Sequence, residues 1–284
     1  MFKIIQSQMI APNMHLLEIE APAVSRQVKP GQFVILRAED DGERIPLSVS
    51  DWDSEKGTIT IIFMNVGSTT NILASLESGI SIPTVVGPLG EATDIEEFGT
   101  VICIGGCYGI GSIFPIARAL KEKMNRVITI LEARSSFLFY WEDKLSRVSD
   151  KVIHITRDGT KGYKGHMGRL TEIIQSLGEP VNRVIINGCT FLLKHGSDAS
   201  RPLELETYVS LNPIMIDGTG MCGVCRVTVD SKTKFACVDG PDFNAHLVDW
   251  DELLQRRNTY LDEEAIPLRS SRCEEHTSVI EKVD

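Results

Sequence analysis

Three cysteines and one aspartate in the C-terminal third have the spacing of a metal-binding group. Asp217, Cys222 and Cys225 form the pattern D-x4-C-x2-C, and Cys237 follows after eleven intervening residues. With aspartate in place of the first cysteine, this is the spacing that holds a plant-type [2Fe-2S] cluster. Because iron binds carboxylate as well as thiolate, the sequence predicts that all four residues ligate such a cluster.

The same positions also fit a second kind of metal site. The Cys222-x2-Cys225 pair is equally suited to tetrahedral zinc, for which Asp217 and Cys237 would complete the ligand set. Both alternatives make the four residues ligands. Zinc would indicate a stabilising, non-catalytic role, whereas an iron-sulfur cluster would carry electrons.

The N-terminal third contains two segments that suit a flavin dinucleotide. In RIPLS an arginine and a nearby hydroxyl could bind a pyrophosphate and a flavin ring, respectively. GSTT precedes the apolar turn NILASL, so it presents N–H groups and hydroxyls at a helix N-terminus, where phosphate binds; ordinary N-capping is the alternative. The predicted FAD-binding residues are Arg44, Pro46, Leu47, Ser48, Gly67, Ser68, Thr69 and Thr70.

The middle third contains glycines where a nicotinamide nucleotide could approach the backbone. GGCYGIG joins an apolar strand to a helical stretch, although a tight turn without ligand would also require glycine. NGC ends another strand. Arg134 and Arg157 follow two further strands, at positions where the adenosine ribose of the nucleotide would lie. These cationic side chains favour a 2′-phosphate and hence NADP(H). The predicted nucleotide-binding residues are Gly105, Gly106, Gly109, Arg134, Ser135, Arg157, Asn187, Gly188 and Cys189.

The pattern of strands and helices predicts three domains. Short alternating segments up to residue 97 indicate an antiparallel β-barrel that binds FAD. Between 98 and 200, strands such as TVICIGG and RVITILEA alternate with helix candidates at 112–123, 140–147 and 168–177, as in a parallel α/β layer that binds a nucleotide. Residues 201–284 are predicted to form a small [2Fe-2S] domain with a polar tail.

Composition and charge exclude several classes of function. The net charge of −10 argues against nucleic-acid binding, and the chain has no apolar run of the roughly 18 residues that a membrane helix needs. Polar residues interrupt the N-terminal segment, so it does not resemble a signal peptide. The seven cysteines, an odd number at irregular spacing, indicate metal or redox chemistry. We therefore predict a cytoplasmic protein without membrane or nucleic-acid partners.

The order of these motifs resembles the ferredoxin-NADP reductase superfamily. GQFV, RIPLS, GSTT, GG-x-x-G, NGC and a cysteine cluster follow one another across almost the whole chain. The branch that adds a C-terminal [2Fe-2S] domain contains the dihydroorotate dehydrogenase B electron-transfer subunit and the small subunit of NADH-dependent reduced ferredoxin:NADP oxidoreductase. The segment VSLNPIMIDGTGMCGVCRVTV looks more like the second, in which an aspartate is expected at position 217.

The resemblance implies an oxidoreductase subunit of a heterodimer. Hydride would pass between NADP(H) or NAD(H) and FAD, and single electrons would pass to the cluster and a larger flavin and iron-sulfur subunit. Ferredoxin would be reached through that complex. Since the cofactors carry the chemistry, no catalytic side chain is expected. The alternatives are the electron-transfer role in dihydroorotate dehydrogenase and a zinc-stabilised, non-catalytic regulatory module.

The chain departs from the superfamily pattern at three places. Cys107 replaces a glycine of the usual GGGIG-x-AP turn, and Gly111-Ser112 replaces its Ala-Pro pair. The usual R-x-x-S motif has its arginine where this chain has Ile45, and Arg44 lies one position earlier. Cys189 replaces the proline of the usual Gly-Pro pair.

Overall fold

The computed structural model describes residues 1–259, which form sixteen strands and seven α-helices. The strands are β1 Phe2–Ala11, β2 Met14–Glu20, β3 Phe33–Arg37, β4 Ile45–Asp53, β5 Thr58–Met64, β6 Ser81–Ile82, β7 Thr84–Leu89, β8 Thr100–Gly106, β9 Arg126–Ala133, β10 Lys151–Thr156, β11 Tyr163–Lys164, β12 Arg183–Asn187, β13 Glu206–Ser210, β14 Arg226–Val229, β15 Lys232–Phe235 and β16 Asp242–Asn244. The helices are α1 Pro22–Ser25, α2 Ser68–Ser75, α3 Gly109–Glu122, α4 Glu142–Ser146, α5 Leu170–Leu177, α6 Thr190–Ser200 and α7 Trp250–Arg257.

The first seven strands form a near-closed antiparallel barrel. They are ordered β6-β1-β2-β5-β4-β3-β7, and every neighbouring pair is antiparallel. The two edge strands β6 and β7 are consecutive in the chain, with one residue between them, so the chain links both edges of the sheet. Alternate side chains point inward, as expected of strands with one buried face, and Leu17, Ile19 and Ile59 are fully buried there.

A mostly parallel sheet follows, in the order β11-β10-β9-β8-β12-β13-β16. Only β16 runs antiparallel to its neighbour. The chain starts in β8, proceeds outward through β9 and β10, and returns to the other side of β8 to form β12. The order therefore reverses between β8 and β12, and ligands of such sheets bind at this switch point, beyond the carboxyl ends of the strands.

Two apolar cores join the barrel, the parallel sheet and the C-terminal part. On one face of the sheet, α3 buries Ile110, Ile113 and Phe114 in a core that also contains Ile62 of the barrel. The core on the other face includes Ile186 of β12 together with Cys225 of the C-terminal part. The cysteine-rich segment is therefore packed directly against the nucleotide-type sheet.

The C-terminal part is built on a short hairpin. β14 and β15 pair from Arg226↔Phe235 to Val229↔Lys232, and the two turn residues, Asp230 and Ser231, both have positive φ angles. That backbone matches the right-handed twist of the strands. Helix α7 follows, and its N-terminus is capped by the Asp249 carboxylate, which accepts a hydrogen bond from the N–H of Glu252 at 2.9 Å.

The strands and helices predicted from sequence are confirmed for the first two parts of the chain. Apolar segments such as TVICIGG and RVITILEA form β8 and β9, and the helix candidates coincide with α3, α4 and α5. The parallel sheet also includes β13 and β16, which lie beyond residue 200, so the three-domain division stays a prediction. Cys273 and the polar tail lie outside the described residues. Within residues 1–259, no helix is long and apolar enough to cross a membrane.

Candidate functional site at the sheet switch point and the cysteine loop

The glycine turn after β8 is packed tightly against the end of β12. A Cβ added at Gly109 would lie 2.0 Å from the carbonyl oxygen of Asn187, and one at Gly105 would lie 2.9 Å from the carbonyl oxygen of Gly109. A Cβ at Gly106 would lie 2.7 Å from a methyl carbon of Leu192. Backbone packing therefore requires glycine at 105 and 109, and it brings two predicted nucleotide-binding segments, 105–109 and 187–189, to one crevice.

Gly111 is explained by packing against the barrel. An added Cβ would lie 2.9 Å from both Ile62 Cδ1 and Ser50 Oγ. The alanine of the superfamily pattern would fit here only if the Ile62 and Ser50 side chains or α3 shifted.

Cys107 has a left-handed backbone, with φ of 52°. This conformation costs a non-glycine residue roughly 1–2 kcal/mol, so a glycine would be favoured at that position on backbone grounds alone. The chain nevertheless places a thiol there, directly across the crevice from Cys189, the N-cap of α6. Strain of this kind concentrates at functional positions.

One cavity lies where the three parts of the molecule meet. Its volume is about 290 Å³, near the lower end of the range for small-molecule sites, ~300–1,000 Å³. The barrel contributes strands β4 and β5, and the parallel sheet contributes the ends of β8 and β12. The C-terminal part contributes the segment before residues 217–225, which we call the cysteine loop. The lining residues used below are Pro46, Leu47, Ser48, Thr70, Tyr108, Ser112, Asn187, Gly188, Asn212 and Met215.

The predicted FAD-binding residues divide into two groups. Pro46, Leu47, Ser48 and Thr70 line the cavity. The other four lie outside its lining: Arg44, Gly67, Ser68 and Thr69.

Hydrogen bonds within the protein explain the positions of Gly67, Thr69 and Arg44. The Thr70 hydroxyl accepts a hydrogen bond from the N–H of Gly67 at 3.0 Å and so caps α2. Thr69 donates to the Glu43 carboxylate at 2.6 Å. Arg44 donates to the carbonyl oxygens of Ile216 at 2.9 Å and Asp217 at 3.2 Å, so it contacts the cysteine loop.

A buried polar atom at the cavity is free to bind a ligand. The Asn187 amide donates from Nδ2 to Ser112 Oγ at 3.2 Å, whereas its Oδ1 is buried without a hydrogen-bond partner among residues 1–259. Buried polar atoms are almost always satisfied. An apolar cavity with this acceptor and the Ser48 hydroxyl at its wall fits a flat aromatic ring with polar edges, as in FAD.

The predicted ribose-binding residues lie at the carboxyl ends of β9 and β10. Arg134 is exposed, and Ser135 is buried with its hydroxyl 3.3 Å from Thr160 Oγ1. Arg157 lies 3.7 Å from Glu132, whose pKa is raised to about 7 by burial. Hydrogen bonds from Thr160 and Ser135 hold the pKa of Asp158 below its usual value. Both a cation and a carboxylate therefore flank this end of the crevice.

The cysteine loop has its N–H groups turned toward the predicted ligands. Gly218, Gly220 and Gly223 all have positive φ, which curls the loop. The N–H of Thr219 donates to the Asp217 carboxylate at 3.0 Å, and the N–H of Val224 bonds Cys222 and lowers its pKa. The N–H of Gly220 bonds Cys237.

Two arginines hold the outside of the same loop. Arg44 binds the carbonyl oxygens at its start, and Arg256 of α7 donates to the carbonyl oxygen of Val224 at 3.0 Å. With carbonyls turned outward and N–H groups turned inward, the loop presents a positive interior. Such an interior suits an anionic iron-sulfur cluster.

The four predicted ligands form an inner and an outer pair. The buried sulfurs of Cys225 and Cys237 are 3.2 Å apart, whereas Cys222 is exposed and Asp217 is half-buried. Across residues 1–259, no three His, Cys, Asp or Glu side chains are grouped closely enough to hold one ion. Two pairs of ligands match a cluster with two irons better than they match a single tetrahedral ion.

Sequence reasoning missed a polar network at the wall of the cavity. Tyr108 donates to the carbonyl oxygen of Gly188 at 3.0 Å and accepts from the Asn212 amide. Arg257 of α7 donates to Thr190 Oγ1 at 2.6 Å and to Asn212 Oδ1 at 3.0 Å. These residues lie far apart in the chain, so no local motif could reveal them.

Comparisons with known proteins match both the iron-sulfur segment and the whole described fold. The domain family described as the iron-sulfur cluster binding domain of dihydroorotate dehydrogenase B matches residues 212–249, which include all four predicted ligands. A solved structure of NADH-dependent reduced ferredoxin-NADP oxidoreductase, described for flavin-based electron bifurcation, superposes with a TM-score of 0.90. It is 39% identical and covers 94% of this chain and 96% of that one.

A relative from Thermotoga maritima, described as a homolog of the dihydroorotate dehydrogenase B (NAD(+)) electron transfer subunit, is 42% identical over 93% of both chains. The ferredoxin NADP⁺ reductase from Neisseria gonorrhoeae, solved with FAD and NADP, has a TM-score of 0.58 at 18% identity over 71% of this chain and 89% of that one, which shows the shared fold. This chain belongs to the family of dihydroorotate dehydrogenase B electron-transfer subunits and their homologues. The resemblance inferred from its motifs is confirmed.

Proposed function

We propose that this chain is the electron-transfer subunit of a ferredoxin:NAD(P) oxidoreductase-type complex. It would pass electrons between NAD(P)(H), FAD, a [2Fe-2S] cluster and a larger partner subunit. The Asp217 ligand position favours this role over the electron-transfer role in dihydroorotate dehydrogenase, for which a cysteine is expected there. The cofactors and the reaction class follow the relatives of the same family.

The proposal rests on the cavity that all three parts of the molecule line. One wall is β4 of the barrel, the opposite wall holds Tyr108 and Asn187 at the switch point, and the third holds Met215. Met215 is two residues before Asp217, so the cavity adjoins the cysteine loop. A flavin ring bound there would lie between the nucleotide crevice and the cluster.

In this proposal the side chains bind and orient the cofactors. Bound FAD would supply the exchange between hydride transfer and single-electron transfer. Ser48 and Asn187 would hydrogen-bond its polar edge, the β8 turn and Gly188 would admit the nucleotide, and the loop N–H groups would stabilise the cluster. No side-chain acid or base is required.

The exposed face of the cysteine loop is the proposed contact with the larger partner. Met221 is 89% exposed, and Ile216 and Val238 beside it are also exposed. Apolar side chains exposed together mark interaction surfaces. Docking here would bring the partner close to the outer ligands, Asp217 and Cys222. Ferredoxin would be reached through that partner, and the location is predicted to be cytoplasmic.

The decisive experiment is cofactor analysis of the protein purified without oxygen. We expect about two irons, two acid-labile sulfides and one FAD per chain, with a visible spectrum of flavin and iron-sulfur. Co-purification with a larger flavin and iron-sulfur subunit would support the assigned complex. A colourless protein that contains zinc would replace the proposal by the zinc-stabilised regulatory module.

The preference for NADP(H) over NAD(H) stays a prediction. Arg134 and Arg157 would favour a 2′-phosphate, whereas the nearby Asp158 carboxylate would favour a free ribose hydroxyl. Flavin reduction by NADH and NADPH would be compared in the wild type and in Arg157→Asp. If the wild type strongly prefers NADH and the substitution leaves that preference unchanged, the assignment to NADP(H) is wrong.

A further inference from the structure

Two cysteines face each other across the switch point. Residues Gly105 and Asn187 are the last paired positions of the neighbouring parallel strands β8 and β12. Cys107 and Cys189 each lie two residues farther along. The turns remain in contact there, since a Cβ at Gly188 would lie 2.9 Å from the carbonyl oxygen of Gly106.

This placement satisfies the spacing of a disulfide. Neighbouring strands are about 4.8 Å apart, and disulfides join residues whose Cα atoms are usually 4.4–6.8 Å apart. Cys107 and Cys189 lie equally far beyond the last paired residues of β8 and β12, and their thiols are close enough to shift each other's pKa in opposite directions. Cys107 is exposed, and Cys189 is half-buried.

The surroundings divide the two thiols into a nucleophile and a resolving thiol. The neighbouring Cys107 thiol, the N–H groups of Leu192 and Phe191 and the Arg157 guanidinium lower the pKa of Cys189 to about 6. The Cys189 thiol raises the pKa of Cys107, and desolvation of its sulfur and the nearby Glu132 act in the same direction, although the residue as a whole is exposed. Low-pKa thiols beside a second cysteine are typical of redox-active sites.

We propose that Cys107 and Cys189 are a redox-active dithiol that closes reversibly to a disulfide by exchange with a low-molecular-weight disulfide. In a cytoplasmic protein such a bond would be transient and regulatory. The closed form would draw the β8 turn toward the start of α6 and narrow the predicted nucleotide crevice. This second effect rests on the proposed function, whereas the thiol chemistry does not.

The exchange is balanced in two steps. The Cys189 thiolate attacks one sulfur of R–S–S–R, forming a mixed disulfide and releasing RS⁻. Cys107 then loses its proton, and its thiolate attacks the Cys189 sulfur and displaces the second RS⁻. The protein loses two electrons and two protons, and the disulfide reagent becomes two RSH.

The bond can be detected directly by mass spectrometry. The intact holoprotein would be equilibrated without oxygen in mixtures of reduced and oxidised glutathione, alkylated, and digested with trypsin. Cleavage after Lys56, Arg118, Arg183 and Lys194 leaves peptides 57–118 and 184–194, and we expect these to become cross-linked as the buffer becomes more oxidising. Addition of dithiothreitol should reverse the link.

Matched variants identify the sulfurs involved. Peptide 57–118 also contains Cys103, which is fully buried in β8. The cross-link should persist in Cys103→Ala and disappear in Cys107→Ser and in Cys189→Ser. Absence of any cross-link in the wild type, or its loss in Cys103→Ala alone, would overturn the proposal.

A second experiment tests whether the disulfide narrows the predicted nucleotide crevice. Flavin reduction by NADH and NADPH would be compared in oxidised and reduced wild-type protein and in Cys107→Ser. We expect the disulfide to slow reduction roughly tenfold or more, because small displacements at a reacting centre cost up to about 100-fold. The Cys107→Ser rate should not depend on the thiol buffer.

The cross-link experiment and the flavin-reduction experiment can each give a negative result independently of the other. A cross-link without any change in rate would overturn the closure of the crevice. Absence of flavin reduction in both redox states would instead contradict the proposed function, while the cross-link would still report the dithiol.

Discussion

Asp217 is the residue at which the cysteine loop departs from an all-thiolate ligand set. Thiolate donates more charge to iron than carboxylate does, so Asp217→Cys should retain a [2Fe-2S] cluster and lower its midpoint potential. A redox titration followed by EPR would measure the change. Asp41→Cys, at an exposed loop position in the barrel, is the matched control and should leave the potential unchanged.

An unaltered signal and midpoint in Asp217→Cys would contradict the assignment. The fourth ligand would then be another group, and the hydrogen bonds that hold the Asp217 carboxylate would serve only the shape of the loop.

Asp242 gives a pH-dependent prediction that does not involve cofactors. Burial raises its pKa above the usual value, although Thr93 donates a hydrogen bond to it at 2.6 Å. A carboxyl whose pKa is raised by folding stabilises the protein at acidic pH, and this stability is lost as the pH rises through the folded-state pKa. Asp242→Asn keeps an acceptor for Thr93 but cannot ionise.

Asp242→Asn should therefore be more stable than the wild type at pH 8, by about 1–3 kcal/mol, the cost of an incompletely satisfied buried charge. The difference should shrink toward zero near pH 4. Urea unfolding across this range would measure it, with the exposed Asp41→Asn as control. A difference that does not depend on pH would show that ionisation of Asp242 is not its cause.

Residues of the candidate site were predictable only where spacing revealed them. Asp217, Cys222, Cys225 and Cys237 lie within one short segment, and the match to an iron-sulfur binding domain covers them. Cys107 and Cys189 are 82 positions apart, and only the pairing of β8 with β12 brings them together. Arg44 and the cysteine loop to which it donates hydrogen bonds are still farther apart in the sequence.

At the scale of elements, Gly109 connects the start of α3 to the end of β12. In Gly109→Ala the new methyl would collide with backbone atoms of Asn187 and Gly188, which cannot rotate away. We expect a loss of about 1–3 kcal/mol in the free energy of unfolding and slower flavin reduction by nucleotide. Thermal unfolding and stopped-flow absorbance would measure the two effects.

Gly42→Ala is the matched control for that substitution. Its added Cβ would approach atoms of Glu39 no closer than 3.1 Å, in a loop at the barrel surface. Its effect should stay within about 0.5 kcal/mol, as for most surface changes. Equal stability of the two variants would mean that the turn after β8 tolerates a side chain and that its packing is looser than the structure indicates.

Elements with strong local signals were predictable, and elements defined by long-range pairing were not. Apolar runs bounded by glycine or charge located β8, β9, β10 and β12. The three-residue strand β16 exists because it pairs with β13 across more than thirty residues, so its sequence has no periodicity to detect. Helix α7 is polar on most of its surface and was not distinguished from the tail.

At the scale of the whole molecule, the cavity and the cysteine loop define two separable electron-transfer steps. Cys222 is exposed, so Cys222→Ala should lose the cluster while the barrel and the parallel sheet stay folded. Flavin reduction by nucleotide should continue, and electron transfer to the larger partner should stop. Met124→Ala, at an exposed position in the turn after α3, is the control that keeps all four ligands and leaves the proposed partner contact unchanged.

Rapid mixing of the anaerobic protein with NADH or NADPH, followed by freezing and EPR, would follow electrons from the nucleotide to the cluster. We expect flavin absorbance to fall first and a reduced [2Fe-2S] signal then to appear in the wild type but not in Cys222→Ala. Flavin bleaching without any iron-sulfur signal in the wild type, or an equal signal in the variant, would contradict transfer from the nucleotide through FAD to this cluster.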